Sequence, residues 1–101
     1  MRITFDPAAV DDLDHIFLWI SRDDRQAAHD IIIRIRSRIA ALATEGFAHM
    51  GRVGLVEGTR ELIESPFIIV YQVDDTRDEI VIVAVAHGAQ DGLDGTDTEL
   101  A

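Results

Sequence analysis

The 101-residue sequence predicts an α+β domain, a two-helix hairpin packed on one face of a small, mainly antiparallel β-sheet. Two stretches before residue 43 repeat apolar residues at three- and four-residue spacing, the period of half-buried helices. Beyond residue 58 the period changes to three apolar runs rich in Ile and Val. The turns between these runs are short, which makes consecutive strands antiparallel neighbours.

Residues 2–6, RITFD, alternate apolar and polar and read as a short strand that joins the later ones. Asp6-Pro7 then supplies an N-cap carboxylate and a proline at the first helical position. Val10, Leu13, Ile16, Phe17 and Ile20 form the apolar stripe of this helix, and Ser21-Arg22 breaks it. Asp23 followed by Gln26 has the spacing of a capping box for the second helix. Its buried stripe is Ala28, Ile31, Ile32, Ile35, Ile39 and Leu42, with Asp30, Arg34 and Arg38 as an i, i+4 ladder on the other side. A link of a few residues makes the two helices an antiparallel hairpin.

Residues 44–58 hold four of the seven glycines and read as a loop, with one strand-like stretch near 53–56. Strands are expected over 59–64, 67–73 and 79–87, joined by Ser65-Pro66 and by residues 74–78. FIIVYQV and IVIVAVA are apolar at almost every position, where a sheet with one wet face should alternate. A single helical hairpin covers one face, so the pattern predicts cover for the other, whether the loop, the tail, a second copy or a different protein. A face that merely tolerates scattered Ile and Val is the bland alternative. Residues 1–90 read as the domain and 91–101 as an acidic, flexible tail.

The net charge is −10, from 19 acids against nine bases, all of them arginine. Duplex nucleic acid attracts proteins through phosphate neutralisation, so free-standing nucleic-acid binding is disfavoured. With no cysteine there is neither a disulfide framework nor a thiolate metal site. No apolar run approaches a membrane span, and MRITFDP lacks a signal-peptide core, so the expected compartment is the cytoplasm.

His15, His29 and His49 lack partners at ligand spacing and read as solvated, so no metal site is expected. Trp19 lies beside the first stripe as a core or rim aromatic. The acid pairs Asp11-Asp12 and Asp23-Asp24 sit near helix starts, where the macrodipole favours negative charge. No nucleophile-elbow or triad pattern is present. What remains is a constellation on or beside the sheet: Arg52, Arg60, Glu61, Tyr71 and His87. His87 or Glu61 moving a proton while Arg60 holds a phosphate would cleave RNA. The bland alternative is edge polarity, and proximity on one sheet is the sole support for catalysis.

The order strand, helical hairpin, antiparallel strands resembles the ParE branch of the RelE/ParE toxin superfamily. The likeness rests on R-x-G-x-x-x-G-T-R-E-L from Arg52 to Leu62, on PFIIVYQV, and on IVIVAVAHGAQ with His87-Gly88. It implies the toxin of a type II toxin–antitoxin module, neutralised by a ParD-like antitoxin with a ribbon-helix-helix DNA-binding part, in a hetero-oligomer. It also implies inhibition of DNA gyrase by protein–protein contact, without cofactor, metal or catalytic residue. On that reading Arg52, Arg60, Glu61, Tyr71 and His87 are partner-binding. The alternatives are a RelE-type ribosome-dependent mRNA endonuclease using Arg60, Glu61 and His87, and a non-toxic antitoxin-binding module. The RNA-cutting members carry an arginine in the middle strand, and 67–71 here, FIIVY, has no base.

Overall fold

Residues 1–44 and 46–88 are described by a computed structural model of the chain. The expected tail 91–101, and the last two residues of the expected domain 1–90, lie outside the described residues. The elements are β1 (Arg2–Phe5), α1 (Pro7–Ser21), α2 (Arg25–Ala41), β2 (Arg52–Val53), β3 (Arg60–Glu64), β4 (Phe67–Asp74) and β5 (Glu79–His87). The strands form one sheet in the order β1-β5-β4-β3-β2. Every pairing is antiparallel except β1 with β5, which is parallel. The fifth strand, β2, is shorter than the sequence predicts and starts a residue earlier.

Asp6 caps α1 by accepting the Ala8 N–H at 3.0 Å, and Pro7 follows it as predicted. Of the expected stripe, Leu13, Ile16 and Ile20 pack in or against the core, and only its first position is displaced. Ala9 and Leu13 are buried, while Val10 is exposed. Hydrophobicity alone passes over alanine, yet a helix lying close to a sheet needs a small residue at its nearest approach. The capping-box expectation is corrected by one residue: Asp24, not Asp23, accepts the Ala27 N–H at 3.0 Å, and the Gln26 amide turns to Asp30. Asp24→Ala should therefore cost about 1 kcal/mol, and Asp23→Ala less than about 0.5. Urea midpoints at unchanged m-value separate the two. The predicted ladder on α2 is also corrected, because Arg34 and Arg38 reach across to Glu64 of β3 rather than along the helix.

Both helices pack on one face of the sheet. Leu13, Ile35, Ile39 and Leu42 meet Leu62, Phe67, Ile69, Tyr71, Ile80, Ile82 and Val85 in one cluster. The β4–β5 ladder carries an irregularity within the apolar run of β5. Val70 pairs with Ala84 and Tyr71 with Ile82, so Val83 is an extra residue. This bulge flips the alternation, placing Ile80 and Ile82 before it and Val85 after it on the same core face. Since β1 pairs with β5 only as far as Ile82, the Val85 N–H beyond has no strand to bond. The Asp12 carboxylate of α1 accepts it at 2.9 Å. Asp12 is thus a tertiary acceptor, and α1 has no acid in its first turn, contrary to the macrodipole expectation.

Candidate functional site

Opposite the helices, the sheet presents Ile63 of β3, Ile68 and Val70 of β4, and Val81, Ala84 and Ala86 of β5. Ladder registers place them together: Ile63 faces Ile68, Ile68 faces Ala86, and Val70 faces Ala84. Ile63 is exposed and the other five are half-buried by their neighbours on the strands. No helix of the described residues is layered on this face, since both helices belong to the core cluster on the other. The alanines of this face, Ala84 and Ala86, belong to β5, where they lie across from the larger Val70 and Ile68 of β4.

The segment between α2 and β3 wraps the end of the sheet. On the core side, Arg60 Nη1 donates to the carbonyls of Gly51 at 2.8 Å and His49 at 3.1 Å. The buried Tyr71 hydroxyl accepts the Gly51 N–H at 3.0 Å. A Cβ at Gly51 would sit 2.7 Å from that hydroxyl and 2.8 Å from the Glu61 carbonyl, so only glycine fits. On the outer side, Arg52 Nε and Nη2 donate to Glu61 Oε1 at 3.1 and 2.9 Å. Glu61 Oε2 accepts the Leu55 N–H at 3.2 Å. The loop is closed by Gly54 N–H donating to the Thr59 carbonyl at 2.8 Å. Held this way, the tip carries Leu55 at 94% exposure with Val53 and Val56 also exposed.

These contacts locate the residues singled out in the sequence. Arg60 and Glu61 do face opposite sides of β3, and each is used to hold the loop. Glu61 is buried, and Tyr71 is completely so. Arg52 reaches the surface. His87, opposite Phe67 at the far end of β4, stacks edge-on against the rings of Phe67 and the exposed Trp19. Arg60 pairs with Tyr71, four residues along β4 from the His87 position. At about 3.3 Å per residue that separates them by roughly 13 Å along the strands, with a further strand between. Arg60, Glu61 and His87 therefore do not converge on one reacting atom.

Among the described residues no three His, Cys, Asp or Glu side chains form a metal-binding group. His49 Nε2 does find a partner the sequence did not indicate, Asp75 at 3.8 Å, in a shallow surface pocket that Leu42 and Met1 also line. No helix of the described residues is long and apolar enough to cross a membrane. Sequence reasoning missed the roles of Glu64 and Asp12 and the bare loop tip, because each depends on residues distant in the chain.

The family profile described as "ParE toxin of type II toxin-antitoxin system, parDE" matches residues 3–92. A Sinorhizobium fredii (strain NBRC 101917 / NGR234) protein named "Putative toxin Y4kP" is 38% identical over 89 residues, spanning 85% of this chain and 88% of that protein. Among solved structures, the chromosomal ParDE toxin–antitoxin system of P. aeruginosa superimposes with a TM-score of 0.74 at 24% identity, over 86% of this chain and 95% of that one. The intact E. coli RelBE toxin–antitoxin complex gives a TM-score of 0.56 at 14% identity, over 85% of this chain and 94% of that one. At these identities the two structures establish a shared fold, with two helices on a five-stranded mixed sheet.

Proposed function

The chain belongs to the ParE family of toxins of type II toxin–antitoxin systems, and from that premise we propose that it acts by protein–protein binding, with DNA gyrase as its target and a ParD-like antitoxin as its neutraliser. The observation that carries this reading is the outer sheet face, apolar across three strands and without a helix upon it. Such a face suits the segment of an antitoxin that orders on binding, losing chain entropy but burying a long apolar contact. Membership in a family described as the toxin of a type II toxin–antitoxin system, parDE, supports that occupant.

A protein-binding mode is also what the charges favour. A nuclease needs cations convergent on a scissile phosphate, and Arg60 is committed to two loop carbonyls. His87 packs on aromatic rings at the other end of the sheet. Of the proposed contact residues, Arg52 would touch the partner on the outer side, and His87 only at the sheet end beside Trp19. Arg60, Glu61 and Tyr71 would act through the loop they hold.

Inducing this chain alone should halt bacterial growth, and co-expressing the adjacent small reading frame should restore it. Purified protein should inhibit supercoiling by gyrase or trap cleaved DNA. Intact supercoiling at excess toxin removes gyrase as the target, and unaffected growth at verified expression leaves a non-toxic binding module. Cleavage of ribosome-bound mRNA that disappears on His87→Ala would replace the proposal with the endonuclease alternative.

A further inference from the structure

Helix α2 holds four arginines and one acid in a chain of net charge −10. Arg36 lies over the Phe5 ring, 5.6 Å from its centroid. Arg34 and Arg38 converge instead on Glu64 of β3, their Nε atoms 2.8 Å from Oε2 and 3.0 Å from Oε1. Each donates again through Nη2, Arg34 to the Ser65 carbonyl at 3.3 Å and Arg38 to the Ile63 carbonyl at 3.4 Å. The two forks are therefore held in place while their side chains stay 52% and 38% exposed.

Fastening α2 to β3 requires one arginine for one carboxylate. Two guanidiniums on Glu64 leave one positive charge unmatched, and each fork has five N–H donors, more than its contacts use. Two exposed aliphatic residues neighbour the pair along the chain: Ile33 precedes Arg34 on the helix, and Ile63, whose carbonyl Arg38 binds, precedes Glu64 on β3. Ile63 also belongs to the apolar outer face, so the pair lies where that face turns the edge of β3. Beyond Arg60 and Glu61, which pair with β2, that edge has no strand neighbour among the described residues.

We propose that Arg34 and Arg38 form a docking site for an acidic, aliphatic peptide segment of a partner protein. Carboxylates of the segment take the open guanidinium donors, and its aliphatic residues lie on Ile33 and Ile63. Positive charge at this corner of a chain of net charge −10 selects an acidic occupant over a basic one. The identity of the partner as the antitoxin rests on the functional reading above; the chemistry of the site does not. An antitoxin segment covering the outer face would place its acidic portion here by rounding the β3 edge.

The test uses the ¹⁵N-labelled full chain and two capped peptides of about eight residues, one alternating Leu and Glu and one alternating Leu and Lys. The acidic peptide should shift the Arg34 and Arg38 Nε–H resonances and the Ile63 amide, and the basic peptide should not. Raising NaCl from about 50 to about 500 mM should weaken the acidic peptide at least about tenfold. The triple variant Arg34→Glu, Arg38→Glu, Glu64→Lys keeps an internal ion pair, and with it the helix–sheet fastening, and should invert the preference. Equal response to both peptides, a response confined to other arginines, or none up to about 1 mM overturns the proposal. So does a shift of these resonances, without peptide, on neutralising Asp91, Asp94, Asp97 and Glu99 to their amides, because the chain's own end would then be the occupant. The assay needs no antitoxin, so failure of the growth rescue bears only on the functional reading.

Discussion

Ala84→Arg is expected to abolish neutralisation by the antitoxin while leaving the free protein folded. Ala84 lies on the outer face of β5 opposite Val70, half-buried and outside the core cluster. In the free protein a long arginine stem can lie along the sheet with its head in water. Beneath an apolar partner the same charge is stripped of water without a counter-ion, at a cost of roughly 3 kcal/mol or more. That corresponds to at least about a hundredfold loss of affinity. Calorimetric titration with the antitoxin measures it, and thermal unfolding of the free variant checks the fold. Unchanged affinity in a folded variant would place the antitoxin elsewhere.

Tyr71→Ala should have the largest effect on the domain itself, a loss of roughly 3–5 kcal/mol. The Tyr71 ring is completely buried in the core cluster, and its hydroxyl holds the loop through the Gly51 N–H. Tyr71→Phe isolates the second role: the ring stays, the acceptor goes, and about 1 kcal/mol is lost. Urea unfolding gives both values, and hydrogen exchange at Gly51 reports the release of the loop. Equal stability of Phe and wild type, with Gly51 still protected, would show that the hydroxyl is not what fixes the loop. A small domain has about 5–15 kcal/mol of net stability, so the alanine variant should lose a large share of it.

The helices and the last three strands were legible from residues 1–88 because their signals are local. Asp6-Pro7 caps its own helix, and apolar spacing reports its own period. The candidate site was legible only in part. GTREL gave the opposite facing of Arg60 and Glu61, since neighbours on a strand alternate. It could not show that Glu61 accepts from Arg52 and from the Leu55 N–H. Nor could composition reveal that Leu55, an ordinary core residue by type, would be the most exposed large hydrophobic side chain among the described residues of the loop.

Periodicity, caps and turn residues are properties of a few consecutive side chains, and they were enough to establish the elements and a sheet with one face to spare. Long-range pairing is different, because it depends on which groups remain unbonded once the elements pack. The parallel docking of β1 ends at Ile82 and thereby recruits Asp12 to the Val85 N–H, 73 residues away. The extra residue at Val83 decides which side of β5 is core. The convergence of two arginines on Glu64 follows from α2 passing beside the β3 edge, which no spacing along the chain encodes.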